Sequence, residues 1–220
     1  MSRYLGPRGR ILKRLGPFSI PGFGSEFNKK LARKAKVAHD EILKKRKQKK
    51  GKKKGKSAEA YIMRLQEKQK LRYHYGLTEK YLINSIKKAR RKSGGSTGQI
   101  LLNALEMRLD NIVYRCGYAP TLPAARQLVT HGHILLNGKK VDRPGSQCQV
   151  KDSISLTSLK KKRTFQQKYS SKRFQKPQPN FIKFNPQTSI SQIQKNPTRK
   201  NQSIGLKINE LLVIEYYSRS

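Results

Sequence analysis

The sequence predicts an α+β fold: amphipathic helices, then a small module of two helices on a small antiparallel sheet, with extended basic arms. Three observations predict it. Apolar residues recur at helical spacing from 57 to 130, the strand-like run HILLN leads into the hairpin signal Asn137-Gly138, and positive charge is concentrated outside that module. The 220 residues carry Lys+Arg 51 against Asp+Glu 12, a formal net charge of +39, which all but demands a polyanionic partner. Only 35% of the chain is hydrophobic and Trp is absent, so the core is modest.

Residues 1 to 24 combine Gly, Pro and Arg/Lys with scattered Leu and Ile, and read as an extended arm that lies along phosphates. Leu31, Ala35, Ala38 and Ile42 allow a short helix within 25–43. The run KKRKQKKGKKKGK at 44–56 holds ten basic residues in thirteen, and self-repulsion with two glycines predicts disorder in the free chain. Nuclear targeting or a nonspecific basic linker is the competing reading of that run. Ser57 caps a helix to about Tyr73, with Tyr61, Ile62, Leu65 and Gln69 on one face and Gly76 as the stop. Thr78 and Glu79 start another, which turns Leu82, Ile86 and Ala89 inward and Lys87, Lys88, Arg90 and Arg91 outward before Ser93, Gly94 and Gly95. Thr97 caps a third helix with one inner stripe, Leu101, Leu105, Leu109, Ile112, Val113 and Cys116, closed by Gly117. Its phase puts Arg108, Asn111 and Arg115 on the opposite face.

Thr121 caps a short helix with Pro123 in its first turn, where a missing amide proton costs little. Leu122, Ala125, Leu128 and Val129 turn inward; Arg126, Gln127 and Thr130 turn outward. His131 and Gly132 end it, HILLN follows, and KKV returns after the Asn137-Gly138 turn. Val150 to Leu156 alternates as a further strand. Residues 160 to 200 are rich in Lys, Gln, Asn, Ser and Pro, with Phe181, Ile182 and Phe184 as one short strand. The ending LKINELLVIEYYSRS is too short for periodicity to choose between helix and strand.

Cys116 and Cys148 are too few for a disulfide framework or a four-ligand zinc site, and Cys116 reads as a buried small hydrophobe. No run reaches the ~18 apolar residues of a membrane span, and MSRYLGPRGR reads as a mature basic arm rather than a transit peptide. The histidines 74, 131 and 133 have no carboxylate or cysteine at ligand spacing, so neither metal nor cofactor is expected.

Residues 101 to 159 hold 7 basic and 4 acidic groups, whereas 1 to 56 hold 20 and 3 and 160 to 200 hold 12 and none. The arms therefore supply affinity and the module supplies shape. Arg108, Arg115, Arg126, Gln127, Thr130, His131, Asn137, Lys139 and Lys140 are expected to form one polar surface, with arginines gripping phosphates and amides and hydroxyls reaching 2′-hydroxyls. Arg3, Arg8, Arg10 and Arg72 are assigned to the same RNA. Stacking of bases on Tyr4, Tyr73, Tyr75, Tyr81 or Tyr114 is a separate mode, ranked below core packing.

RLDNIVYRCGYAPTLPAARQLVTHGHILLNGKKV resembles the RNA-binding module of the small-subunit ribosomal protein S-four family. SRYLGPR, LQEKQKLRYHYGLTEKYL, GSTGQILLNALEMRLDNIVYR and GLKINELLVIEYYSR look like the same family in order, especially its plastid and cyanobacterial forms. The resemblance implies a basic arm or linker at 1–56, a helical domain at 57–97 completed by 204–220 with INELLVIEYY as a helix, and the RNA-binding domain at 98–203. It implies a structural constituent of the small ribosomal subunit that binds small-subunit rRNA at a 5′-domain helix junction early in assembly. Ribosomal protein S-five and the path of messenger RNA are the implied neighbours, and the plastid stroma the implied compartment, with a cyanobacterial cytoplasm as alternative. Some members carry a zinc-binding cysteine cluster near the N-terminus, which this chain lacks. Two other readings stay open: a free RNA-binding factor with the same module, and an rRNA pseudouridine synthase, whose catalytic Asp sits in a context similar to Arg108-Leu109-Asp110.

Overall fold

A computed structural model describes residues 6–15, 29–48, 56–92, 94–157, 179–185, 187–197 and 208–218. The chain divides into a helical unit, Met1–Leu101 with Gly205–Ser220, and a sheet-bearing unit, Leu102–Ile204.

The helical unit holds α1 (Arg8–Leu15), α2 (Lys29–Gln48), α3 (Lys56–Tyr75), α4 (Glu79–Arg91), the start of α5 (Thr97–Glu106) and α8 (Glu210–Ser218). Part of the expected extended arm is thus a helix. Ile11 and Leu12 are buried, with Leu15 and Tyr73 packed against them. An eight-residue helix is marginal in water by itself and forms here because its apolar face has α2 and α3 to cover. His39 Nδ1 on α2 lies 2.9 Å from the Lys13 carbonyl oxygen. The predicted short helix at 25–43 runs longer, to Gln48, so the first residues of the lysine run are helical; residues 49–55 lie outside the described residues.

Gly76, at φ +59°, ends α3, and the Thr78 hydroxyl accepts from the Tyr81 amide to cap α4. Leu82, Ile86 and Ala89 are buried as their spacing predicts. On α3 the buried residues are instead Lys68, Leu71, His74 and Tyr75, while Tyr61 and Ile62 are exposed. The final segment is a helix, α8, which packs on α3 with Val213 buried. A methyl group at Gly98 would come within 2.5 Å of Glu210 Cγ, so the start of α5 approaches α8 this closely only as glycine.

The expected single helix from 97 to 117 is two, α5 and α6 (Leu109–Arg115). Arg108 is extended between them at φ −74°, ψ 141°. The backbone here pairs with a loop: Leu109 N donates to Ser146 O at 2.9 Å, Asp110 N to Pro144 O at 3.0 Å, and Cys148 N to Met107 O at 2.8 Å. The first amides of α6, which a continuous helix would have satisfied internally, are satisfied by that loop. Leu105, Leu109 and Ile112 keep helical spacing across the break, which is why periodicity runs straight through it.

Helices α6 and α7 (Leu122–Thr130) pack together, and the strands are β1 (Ile134–Leu136), β2 (Lys139–Lys140), β3 (Ser153–Leu156), β4 (Ile182–Asn185) and β5 (Ile190–Ile193). They form one antiparallel sheet in the order β2-β1-β3-β5-β4. Ile112, Val113, Ala125, Val129, Ile134, Ile154, Phe181 and Ile193 fill the core. Strand β5 has no counterpart among the sequence expectations. The Tyr118 hydroxyl helps place it, lying 2.8 Å from Ser189 O, 3.2 Å from Ile154 O and 3.1 Å from Ser191 Oγ.

Asn137 and Gly138 both have positive φ, +51° and +78°, as a two-residue type I′ hairpin turn requires. An added Cβ at Gly138 would meet nothing within 4 Å, so Gly138→Ala isolates backbone strain. It is expected to lower stability by about 1–2 kcal/mol, read from the urea midpoint of the sheet unit.

Candidate nucleic-acid interface

Two buried carboxylates organise the residues around the α5–α6 break. Asp110 accepts from Arg108 through Nε at 3.0 Å and Nη2 at 2.8 Å, and from Arg126 through Nε at 3.1 Å and Nη2 at 2.8 Å. Glu106 accepts from Arg115 through Nε at 3.1 Å and Nη2 at 2.7 Å, and from Asn111 Nδ2 at 2.7 Å. The side chains of Arg108 and Asp110 are each 1% exposed, and Arg115 is 4% exposed.

The expectation that Arg108 and Arg115 face outward is therefore corrected. It followed from one continuous helical phase, and the break at Arg108 rotates the following residues relative to those before it. Both guanidiniums are spent inside the protein, where a buried cation needs a paired anion. Asn111 turns inward with them. The sequence carried one signal of this: the module has four acids, and two of them, Glu106 and Asp110, flank Arg108.

Arg126 is intermediate, with its side chain 14% exposed and two of its donors committed to Asp110. Gln127, Thr130 and His131 are exposed on the last turns of α7, and Lys139 and Lys140 are exposed on β2. The Lys140 stem lies against Gly132, where a Cβ would come within 1.9 Å of Lys140 Cε. His131 and His133 stack at 6.0 Å with 16° between their planes. The end of α7 and the β2 edge therefore bring His131, His133 and Lys140 to one place. Thr130 Oγ1 donates to Arg126 O at 2.7 Å, which leaves its oxygen free to accept from a ligand.

Asn137 is exposed, but its amide is engaged: Nδ2 donates to Asp152 Oδ1 at 2.8 Å and Oδ1 accepts from Ser153 N at 2.8 Å. Those bonds fasten the hairpin to β3. In the helical unit Arg10 is exposed on α1, Arg8 opens α1, and Arg3 lies outside the described residues. Arg72 is half-buried, with Nε 3.4 Å from Leu77 O and Nη1 3.8 Å from Glu79 Oε2.

Burial pushes the thiols of Cys116 and Cys148 up to about 12, so both are protonated and poorly nucleophilic at neutral pH. Among the described residues no group of three His, Cys, Asp or Glu is arranged to hold a metal ion, and no helix is long and apolar enough to cross a membrane. What the sheet unit presents is a set of hydrogen-bond donors and cations on rigid elements.

Two family descriptions together cover residues 3–154 of this architecture. The Ribosomal protein S4/S9 N-terminal domain matches residues 3–106, and the S4 domain matches residues 107–154. Full-length relatives agree: the small ribosomal subunit protein uS4c of Chaetosphaeridium globosum is 47% identical over 220 residues, covering 100% of this chain and 99% of its own length. The chain belongs to the ribosomal protein S4 family. The protein of the same name from Physcomitrium patens is 46% identical over 219 residues, covering 100% and 99%, and that of Oltmannsiellopsis viridis 45% over 219 residues, covering all of both chains. The junction of the two matched regions, 106/107, falls at the α5–α6 break. The enzyme reading is set aside. S4-family relatives match over the whole length under the name of a ribosomal protein, and Asp110 is enclosed between two arginines rather than facing a substrate.

Proposed function

We propose that this S4-family chain is a structural constituent of the small subunit of a plastid ribosome, binding small-subunit rRNA directly. The observation that carries it is the collinear match over the full length to relatives named small ribosomal subunit protein uS4c. The finer reading is that it binds a 5′-domain helix junction early in assembly. It then sits beside ribosomal protein S-five and near the path of messenger RNA, in the stroma. Structured RNA hides its base edges in a deep major groove, so a junction is recognised through backbone and 2′-hydroxyls, and the exposed donors of α7 and β2 suit that task. In domain terms, the helical unit with its C-terminal helix and the sheet unit are the two RNA-binding bodies, and the basic arms add sequence-independent attraction.

Sedimentation tests the main claim: the protein should stay with small subunits through a moderate salt wash, and recovery at the top of the gradient would assign it to a free RNA-binding factor instead. For the surface, His131→Ala with Lys140→Ala removes two donors that make no ion pair with the described residues. Affinity for a 5′-domain transcript at constant salt should fall about tenfold or more, the loss of one or two charge-assisted hydrogen bonds. Unchanged affinity would sink the α7–β2 assignment.

A further inference from the structure

A further stripe of charge lies on α4. Placing its residues at 3.6 per turn puts Lys80, Asn84, Lys87, Lys88 and Arg91 within an arc of about 100°, with Leu82, Ile86 and Ala89 on the opposite side. Burial agrees: the first five are exposed and the last three are buried. Lys80, Lys87, Lys88 and Arg91 make no ion pair or hydrogen bond with the described residues, and the helix's one acid, Glu79, is engaged by Lys68, Arg72 and Tyr217. The helix is held at its start by the Thr78 cap and along its length by its buried face.

We propose that this α4 stripe is a binding site for the backbone of double-helical RNA, with Lys80, Lys87, Lys88 and Arg91 each meeting a phosphate. The proposal rests on the rRNA-binding reading above and adds a second contact surface, separate from α7 and β2. From Lys80 to Arg91 the stripe is about 16 Å long, enough to follow several successive phosphates along one strand. Its chemistry points to RNA rather than to an acidic protein. The stripe carries no apolar or aromatic residue to serve as an anchor, the feature that concentrates energy in protein interfaces, whereas a row of cations beside one amide matches a phosphodiester chain. A rigid helix also pays little ordering entropy on binding, unlike a flexible lysine run, so these four cations are read as register-setting contacts.

The test uses the full chain and a small-subunit 5′-domain transcript, with an unrelated structured RNA as competitor. K80Q/K87Q/K88Q/R91Q keeps good helix formers at every position, and far-UV circular dichroism confirms that the fold is retained. A control, R33Q/K34Q/K36Q/K44Q, removes the same charge from exposed positions of α2. The α4 variant should lower the slope of log affinity against log salt by about 3, at 0.7–0.9 per phosphate lost. It should also reduce the preference for the cognate transcript at least tenfold, and the control should leave that preference intact. An unchanged salt slope overturns the proposal, and if subunit incorporation is then impaired the stripe belongs to a protein partner. Equal loss of preference in both variants also overturns it, because bulk charge then suffices. If wild-type protein shows no preference for the cognate transcript, the rRNA-binding reading itself fails, a result distinct from any outcome with the variants.

Discussion

Asp110→Ala is expected to destabilise the sheet unit by about 3–5 kcal/mol, the range for removing one partner of a buried ion pair. Arg108 and Arg126 both engage Asp110, through four hydrogen bonds. Arg108 has nowhere to go: its side chain is 1% exposed and its backbone is pinned by the bridge to Gln147. Arg126, partly exposed, can turn to water, so its share of the loss is smaller. Asp110→Asn keeps an acceptor but loses the charge and should fall between wild type and Ala. Arg108→Met with Asp110→Leu removes both charges in similar volume and should recover much of the loss, because uncompensated burial rather than absence of the pair is the costly state. Hydrogen exchange of α6 amides in urea reads the unit separately, as a chain of two units need not unfold in one step. A loss under about 1 kcal/mol in Asp110→Ala would contradict the ion-pair geometry.

That knot also marks the boundary of what was legible in the sequence. Several rules that depend on a few neighbouring residues read true: the Thr78 and Thr121 caps, the Asn137-Gly138 turn and the buried stripe of α4 all form as expected, whereas Ser57 and Thr97, read as caps, lie just inside α3 and α5. Where the deciding partner is distant, such rules do not. The α5–α6 break is created by residues 144–148, some forty positions from Arg108, and nothing near Arg108 announces it. The same break converts Arg108 and Arg115 from expected ligand contacts into internal counter-ions. Gln127, Thr130 and His131 keep their outward placement because α7 is set by its own cap and Pro123. Strand β5 was invisible for a related reason: Ile-Ser-Gln-Ile is apolar at two positions only, and it becomes a strand by pairing with β3 and β4. On α1, eight residues look like an arm until α2 and α3 supply a surface for Ile11 and Leu12.

Deleting residues 208–218, which hold α8 and the two residues before it, is expected to unfold the helical unit while the sheet unit stays folded. α3 is the helix most heavily invested in α8. Arg64 Nε donates to Glu215 Oε2 at 2.7 Å, Asn209 N donates to Glu67 Oε2 at 3.0 Å, and Lys68 Nζ sits 4.7 Å from the Tyr216 ring centroid. Glu79 accepts from Lys68 Nζ at 2.8 Å and from the Tyr217 hydroxyl. Deletion would leave Arg64 without Glu215, Glu67 without the Asn209 amide and Lys68 without the Tyr216 ring, and would expose the surface covered by Val213, a loss beyond the 2–5 kcal/mol of one large apolar truncation. The same clasp gives a pH signature. Burial alone would raise the Glu79 carboxyl, but the hydrogen bonds from Lys68 and Tyr217 and the charges of Lys68 and Arg72 outweigh it and hold it below its ordinary value. A depressed carboxylate contributes stability that is present above its unfolded pKa and is lost as pH falls through the folded one. The Tyr217 phenol is raised above 10.0, first by burial and then by Glu79, so its contribution is present below that value and is lost only as pH rises past its folded pKa. The clasp should therefore hold from weakly acidic to strongly basic pH and loosen in acid. α3 and α4 amides should lose exchange protection as the carboxylate range is crossed downward, and Glu79→Gln should flatten that dependence. Retained protection of α3 after deletion of α8 would show that the helical unit closes without its C-terminal helix.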